Sequence, residues 1–233
     1  MLFYEAVPEN LLKILNLLMR EDKLNDFTLV GGTALALQIG HRISIDIDLF
    51  TDHSFESKEI LDALRKTLKV ELIMSRPNGM QLIVENFKVD LYNWAVPFIG
   101  KPYISDGLRL ASLKDIAAFK LDAITTRKTK KDYYDLHFLL NKFSLEEMIS
   151  AYKEKYPYNS SKNVIVGLSS CSAAGDDQQP QLLKPVSWIE VKARLINEVL
   201  QYEKSIIVQK ESQIKKREEN IKQLLQKKRG RKI

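Results

Sequence analysis

Two aspartates, in Asp46-Ile47-Asp48, follow the pair Gly31-Gly32 of the turn Gly31-Gly32-Thr33 after thirteen intervening residues, and a third, Asp90, stands between Val89 and Leu91 in an apolar run. Side chains two apart in a strand leave from the same face, about 7 Å apart along the backbone, so Asp46 and Asp48 can grip a pair of cations together. Oxygen-only ligands suit magnesium, and two such ions about 3.5 to 4 Å apart stabilise the attacking and leaving oxygens of an in-line phosphoryl displacement. Asp90 completes a three-carboxylate metal set if its strand lies beside the first, where it would also help to activate the attacking hydroxyl.

The glycine turn is the complementary part. A strand, a Gly-Gly turn and a helix start leave main-chain N–H groups and a helix dipole free for triphosphate oxygens. Without Cβ atoms at Gly31 and Gly32 the phosphates can approach the backbone closely, and Thr33 adds a hydroxyl donor. Arg42, just ahead of the aspartates, can bind phosphate or pair with a neighbouring carboxylate. None of His41, His53 and His137 has a spacing that implies a metal site.

These residues need elements to hold them. Leu11, Leu12, Ile14, Leu15, Leu17 and Leu18 predict a helix over residues 8–20. Residues 27–30 read as a short strand, Thr33 to Ile39 as a helix ended by Gly40, and residues 43–50 as a strand with Ile45, Ile47 and Leu49 on its buried face. A helix from Ser57 to Leu68 precedes strands at about 70–74, 80–85 and 87–94, the last two joined through Glu85-Asn86. From Ser112 the pattern turns helical: about 112–127 behind a Ser112/Asp115 capping box, 130–141, 144–155 behind Ser144/Glu147, and a long final helix behind Ser187/Glu190. Tyr133, Tyr134 and Phe138 read as core rather than a base-stacking platform. Residues 157–185, rich in Ser, Gly, Pro and Asp-Asp-Gln-Gln, read mainly as a long connection. The break near residue 105 divides an α/β portion, 1–105, from a helical portion, 106–233.

At 233 residues, 45% hydrophobic, the chain can bury a proper core. Its single cysteine, Cys171, excludes an internal disulfide and a cysteine zinc cluster and fits the cytoplasm. No apolar run approaches the roughly 20 residues of a membrane helix, and the start of the chain lacks the basic region of a secretory signal. The net charge of +6 is local: residues 204–233 carry 11 Lys and Arg against 3 Asp and Glu, an excess of 8, which leaves about −2 for the rest. Any attraction to RNA or DNA is therefore to be sought locally, in that basic tail or beside the proposed site, at Arg127, Lys128, Lys130 and Lys131.

The stretch from Gly31-Gly32-Thr33 through Asp46-Ile47-Asp48-Leu49-Phe50 resembles the DNA polymerase β-like nucleotidyltransferase superfamily and, within it, the AbiEii toxin family of abortive-infection toxin–antitoxin systems. A second block supports this, from Lys120-Leu121-Asp122 through Arg127 to Lys131-Asp132-Tyr133-Tyr134-Asp135. The resemblance implies an α+β nucleotidyltransferase fold, a mixed β-sheet flanked by helices and followed by a helical C-terminal domain. It implies a nucleoside monophosphate transferred from NTP to an RNA, with the 3′ end of tRNA the acceptor, two Mg²⁺ ions and a cognate antitoxin. It also implies that Lys120 contacts the nucleotide phosphates and that Asp132 is a further essential carboxylate, Asp135 being the nearby alternative. Lys131 stands where relatives commonly carry Arg, which replaces a planar bidentate donor by a point charge. Open beside this reading are a same-fold enzyme acting on a small molecule such as an aminoglycoside, a catalytically silent nucleotide- or partner-binding protein, and phosphoryl or pyrophosphoryl transfer by the same metal site.

Overall fold

The structure, a computed structural model, describes residues 1–174 and 178–229, without the side chains of 219 and 221–229. The Asp-Asp pair and the preceding glycine of the 157–185 segment, and the end of the basic tail at 230–233, lie outside the described residues.

Helix α1 (Glu9–Met19) buries the Leu11, Ile14, Leu15 and Leu18 stripe. Strand β1 (Thr28–Leu29) passes through Val30 straight into α2 (Gly31–Ile39), which starts two residues ahead of the expected Thr33. Gly40, with φ of 59°, ends it in a left-handed cap. Then come β2 (Ile47–Thr51), α3 (Ser57–Leu64), β3 (Val70–Arg76), β4 (Gly79–Val84) and β5 (Phe87–Asn93). Glu85 and Asn86 both take positive φ, 48° and 74°, as a tight turn between β4 and β5 requires. A hairpin absent from the sequence reading follows, β6 (Tyr103–Ser105) and β7 (Leu108–Leu110), turned at Asp106-Gly107 with φ of 52° and 81°. It straddles residue 105.

The seven strands form one mixed sheet in the order β3-β4-β5-β2-β1-β7-β6. Strands β2 and β5 are parallel, as are β1 and β7, and the other neighbours are antiparallel. The helical part comprises α4 (Leu113–Thr126), α5 (Lys130–Leu139), α6 (Leu145–Lys155), α7 (Ser161–Ser169) and α8 (Trp188–Arg229). Ser144 and Glu147 make the full reciprocal cap of α6. At α4, Ser112 Oγ accepts from the Asp115 N–H and donates to the Asp115 carboxylate, which also accepts from the Ile99 and Gly100 N–H groups and from Lys155. A single apolar core runs from Leu2 to Val199 and joins the sheet to these helices, with Tyr133 and Tyr134 fully buried in it.

Two expectations are corrected. The strand read over 43–50 starts only at Ile47, and Ile45 is 57% exposed. Residues 42–46 are drawn off the sheet by other partners: the Ser44 N–H donates to the Ala6 carbonyl at 2.9 Å and the Ile43 N–H to Gln181 at 2.8 Å. The segment read as a connection contains α7, which buries Val164 and Leu168. Gly167, which reads as a breaker, is its contact point with α4. A Cβ there would lie 2.8 Å from the Ile124 carbonyl.

Candidate active site

In the β2–β5 register Asp48 is paired with Asp90 and Phe50 with Tyr92. Parallel neighbours in register present their side chains on the same face of a sheet, so Asp48 and Asp90 stand side by side. Asp46, two residues before Asp48, joins them from the loop that leads into β2. All three line one cleft of about 900 Å³, between this sheet face, the start of α2 and the flank of α4. That volume suits a nucleotide-sized ligand.

Burial, then the nearby Asp90 and Asp46 charges, push the Asp48 carboxyl up from 3.8 to about 6. Lys88 donates to Asp90 Oδ2 at 2.7 Å, whereas Asp90 Oδ1 is buried without a partner. Lys131 approaches the exposed Asp46 at 3.6 Å. Among the described residues no three His, Cys, Asp or Glu side chains close into a ready-made metal cage. What is present is an open row of oxygen donors with an excess of negative charge and one unsatisfied acceptor, and such a row fits a hard divalent cation.

Gly31 sits against this row. Its φ is +68°, and a Cβ would lie 2.3 Å from Asp48 Oδ2. We therefore expect Gly31→Ala to displace the Asp48 carboxylate, adding left-handed strain of about 1–2 kcal/mol. Displacement of the order of 1 Å at a reacting centre costs about 10²-fold in rate, so steady-state activity should fall by about that factor while circular dichroism shows the fold retained. Gly32 is packed as tightly on the other side, where a Cβ would meet Arg42 Nη2 at 2.4 Å. Thr33 departs from expectation: its hydroxyl is buried, donating to the Asp46 carbonyl and lying 3.0 Å from Ser44 Oγ. It braces the aspartate loop, and only its backbone N–H is left at the helix start.

Behind the cleft lies a buried ionic wall. Arg42 grips Asp135 with two nitrogens, Nε at 2.6 Å and Nη2 at 2.9 Å. His41 donates from Nε2 to the same carboxylate at 2.7 Å, and burial lowers its pKa so that it stays neutral. Lys120 is shared between Asp132 at 2.8 Å and Asp135 at 2.6 Å. Burial alone would discharge Lys120, but Asp132 and then Asp135 outweigh it and hold the ammonium charged. Asp132 also accepts from Arg127 at 2.9 Å and from Thr129. Although burial opposes it, Lys120 and Arg127 draw the Asp132 carboxyl down to about 2. Arg42, Lys120 and Arg127 line the cleft, whereas Asp132 and Asp135 lie behind them. Of the two readings for Arg42, the carboxylate pairing is what the structure shows, and the side chain also lines the cleft.

Several cleft-lining residues were not singled out in the sequence. Lys88, Tyr92, Phe50 and Trp94 follow from the same alternation that exposes the aspartates, so the period of two carried the signal. Gln178 to Gln181 carried none. They belong to a strap whose Leu182 bridges to Arg42 and whose Leu183 and Lys184 N–H groups both reach the His41 carbonyl.

With this geometry in hand, comparison with known proteins is informative. Residues 13–203 match the family described as nucleotidyl transferase AbiEii toxin, type IV toxin–antitoxin system. An uncharacterized protein of Aquifex aeolicus (strain VF5) is 36% identical over 138 residues, covering 57% of this chain and 67% of that protein. Among solved structures, JHP933 from Helicobacter pylori superposes with a TM-score of 0.57 at 18% identity, over 89% of this chain and 97% of that one. MenT4, a nucleotidyltransferase toxin from Mycobacterium tuberculosis H37Rv, gives 0.51 at 15% identity, over 80% and 82%. At these identities the two structures speak for the fold, which is that of the nucleotidyltransferases.

Proposed function

This chain belongs to the AbiEii nucleotidyltransferase toxin family, and on that premise we propose that it transfers a nucleoside monophosphate from NTP to a hydroxyl of RNA, the 3′ end of tRNA, with magnesium. The observation that carries the reading is the side-by-side register of Asp48 and Asp90 with Gly31 pressed against Asp48. Asp46, Asp48 and Asp90 would hold the divalent cations. When bound, such ions would neutralise the charge that builds on the phosphoryl oxygens and make the acceptor hydroxyl more acidic.

The chain's own residues do the rest. The Gly31-Gly32 backbone and the dipole of α2 receive the triphosphate. Three cations, Arg42, Lys120 and Arg127, face two carboxylates, Asp132 and Asp135, so the wall keeps a net positive charge toward the leaving pyrophosphate. Asp90 Oδ1, which lacks a partner, takes the proton of the acceptor hydroxyl. Arg127, Lys128 and Lys131 beside the cleft attract the RNA backbone.

A toxin of this class works in the cytoplasm against a cognate antitoxin made by the same cell. Among the described residues no helix is long and apolar enough to cross a membrane. The test is incubation of wild type and Asp46→Ala with each α-labelled NTP, magnesium and total RNA. Label in tRNA-sized RNA from wild type alone is expected. Label in no RNA, or equal label from both proteins, would overturn the reading.

A further inference from the structure

We infer that Phe50, Trp94, Phe119 and Tyr156 form the nucleobase-recognition pocket of the cleft, an inference that rests on the nucleotidyl-transfer reading above. The alternation that puts Asp48 and Asp90 on the cleft face also puts Phe50 and Tyr92 there, paired in register one pleat further on. That step is about 7 Å, the length of one sugar. Trp94 follows Tyr92 on the same face. The opposite wall has the matching polarity. Along α4, Phe119 and Asp122 line the aromatic side, whereas Lys120, turned about 100° from Phe119, and Arg127, about 12 Å beyond Phe119 by helical rise, line the charged side. The cleft therefore has a phosphate half and an apolar half, divided by the aspartates.

The apolar half is built as a rigid platform. Phe50 and Trp94 are stacked with centroids 5.4 Å apart and planes 12° from parallel. Phe119 stands edge-on to both, at 5.4 and 6.1 Å, and rests on the buried Lys155, whose Nζ lies 4.4 Å from its centroid. All three rings are only partly buried and line the cleft.

One polar group beside the rings points to a ligand with an edge as well as a face. Trp94 Nε1 and Tyr156 Oη are buried neighbours, the indole N–H directed at the phenol oxygen, and the Tyr156 O–H itself finds no acceptor. Tyr156 is 7% exposed, yet it lines the cleft. Buried polar groups are rarely left unpaired. A planar heteroaromatic that stacks on a ring and offers an acceptor to the Tyr156 hydroxyl satisfies it, and a nucleobase is such a group. Asp122, also on the cleft, adds a carboxyl for an exocyclic amino group.

The base can come from the NTP or from the acceptor's terminal nucleotide, and one experiment separates the two. In Trp188→Phe protein Trp94 is the only tryptophan. Its emission, corrected for absorption, is followed on adding each NTP with magnesium or a short single-stranded RNA ending in a 3′ hydroxyl. Saturable quenching by NTP assigns the pocket to the incoming base, and quenching by RNA alone assigns it to the acceptor. Trp94→Leu should weaken binding of that ligand, measured by calorimetry, about 10-fold or more through lost stacking. Tyr156→Phe, which removes only the hydroxyl, should weaken the preferred nucleotide about 2- to 10-fold and the others less. Unchanged Trp94 emission while calorimetry registers NTP binding would place the base elsewhere and leave the transfer reading standing. Silence of both methods toward NTP and RNA would remove the transfer reading and this inference with it.

Discussion

Replacing Asp48 by Asn is expected to raise the melting temperature of the metal-free protein by about 5 °C at pH 7.5 while lowering nucleotide transfer by at least about 10³-fold. The two effects share a cause. Asp48 is held among like charges in a half-buried position, with its carboxyl raised from 3.8 to about 6. A folded pKa above the unfolded one means that ionised Asp48 disfavours the fold. The group costs nothing below about pH 4, where it is protonated in both states, and its full cost is present above pH 6. Linkage, discounted for partial exposure to the cleft, makes that cost about 2 kcal/mol, and a domain of this size moves roughly 2–4 °C per kcal/mol. Asparagine removes the charge and the cost together. Scanning fluorimetry from pH 4 to 8 should show the gap between variant and wild type opening as pH rises through 4 to 6. Added magnesium should raise the melting temperature of wild type more than that of the variant. An Asp48→Asn protein that melts lower than wild type at pH 7.5, or stays active, would remove Asp48 from the centre of the site.

The stability effect and the chemistry were legible in the sequence to different degrees. That Asp46, Asp48 and Asp90 could meet was readable, because the period of a strand is local and Val89 and Leu91 mark Asp90's strand as buried. That Asp90 would lie opposite Asp48 and not one residue away was not, since register between β2 and β5 is decided by the whole sheet. Thr33 shows the opposite failure: a residue of the right type in the right place turned its hydroxyl inward, because the aspartate loop left the sheet and needed a brace. Helix α7 was hidden by its composition. Ser160, Ser161 and Gly167 are turn formers by propensity, and tertiary packing against Ile124 overrides them. The strap from Gln178 to Lys184 gave no periodic signal, for its partners His41, Arg42 and Ile43 lie far back in the chain.

The choice between Asp132 and Asp135 was equally beyond a local reading, and it sets the second large effect. Both aspartates are fully buried on α5. Asp132 is served by Lys120, Arg127 and Thr129, and Arg127 is 56% exposed and can turn to water if its partner is lost. Asp135 is served by Arg42, His41 and Lys120, all buried. Neutralising it leaves the largely buried Arg42 without its bidentate counterion, the situation that costs about 3–5 kcal/mol. Asp135→Asn should therefore lower the melting temperature by about 10 °C and, by releasing Arg42 and Lys120 from their fixed positions, cut activity by about 10²-fold or more. Asp132→Asn should cost less stability, because Lys120 keeps Asp135. The pH dependence has the reverse sign to that of Asp48. The Asp135 carboxyl is held well below 3.8, so its contribution is whole above about pH 4 and is lost only as pH falls below that. The deficit of Asp135→Asn should then be constant from pH 5 to 8 and shrink in acid, where wild type loses the same interaction. If chemical denaturation instead ranks Asp132→Asn as the more damaging change, the wall is anchored through Arg127 and α4. The Arg42–Asp135 pair would then be a bystander to the site it backs.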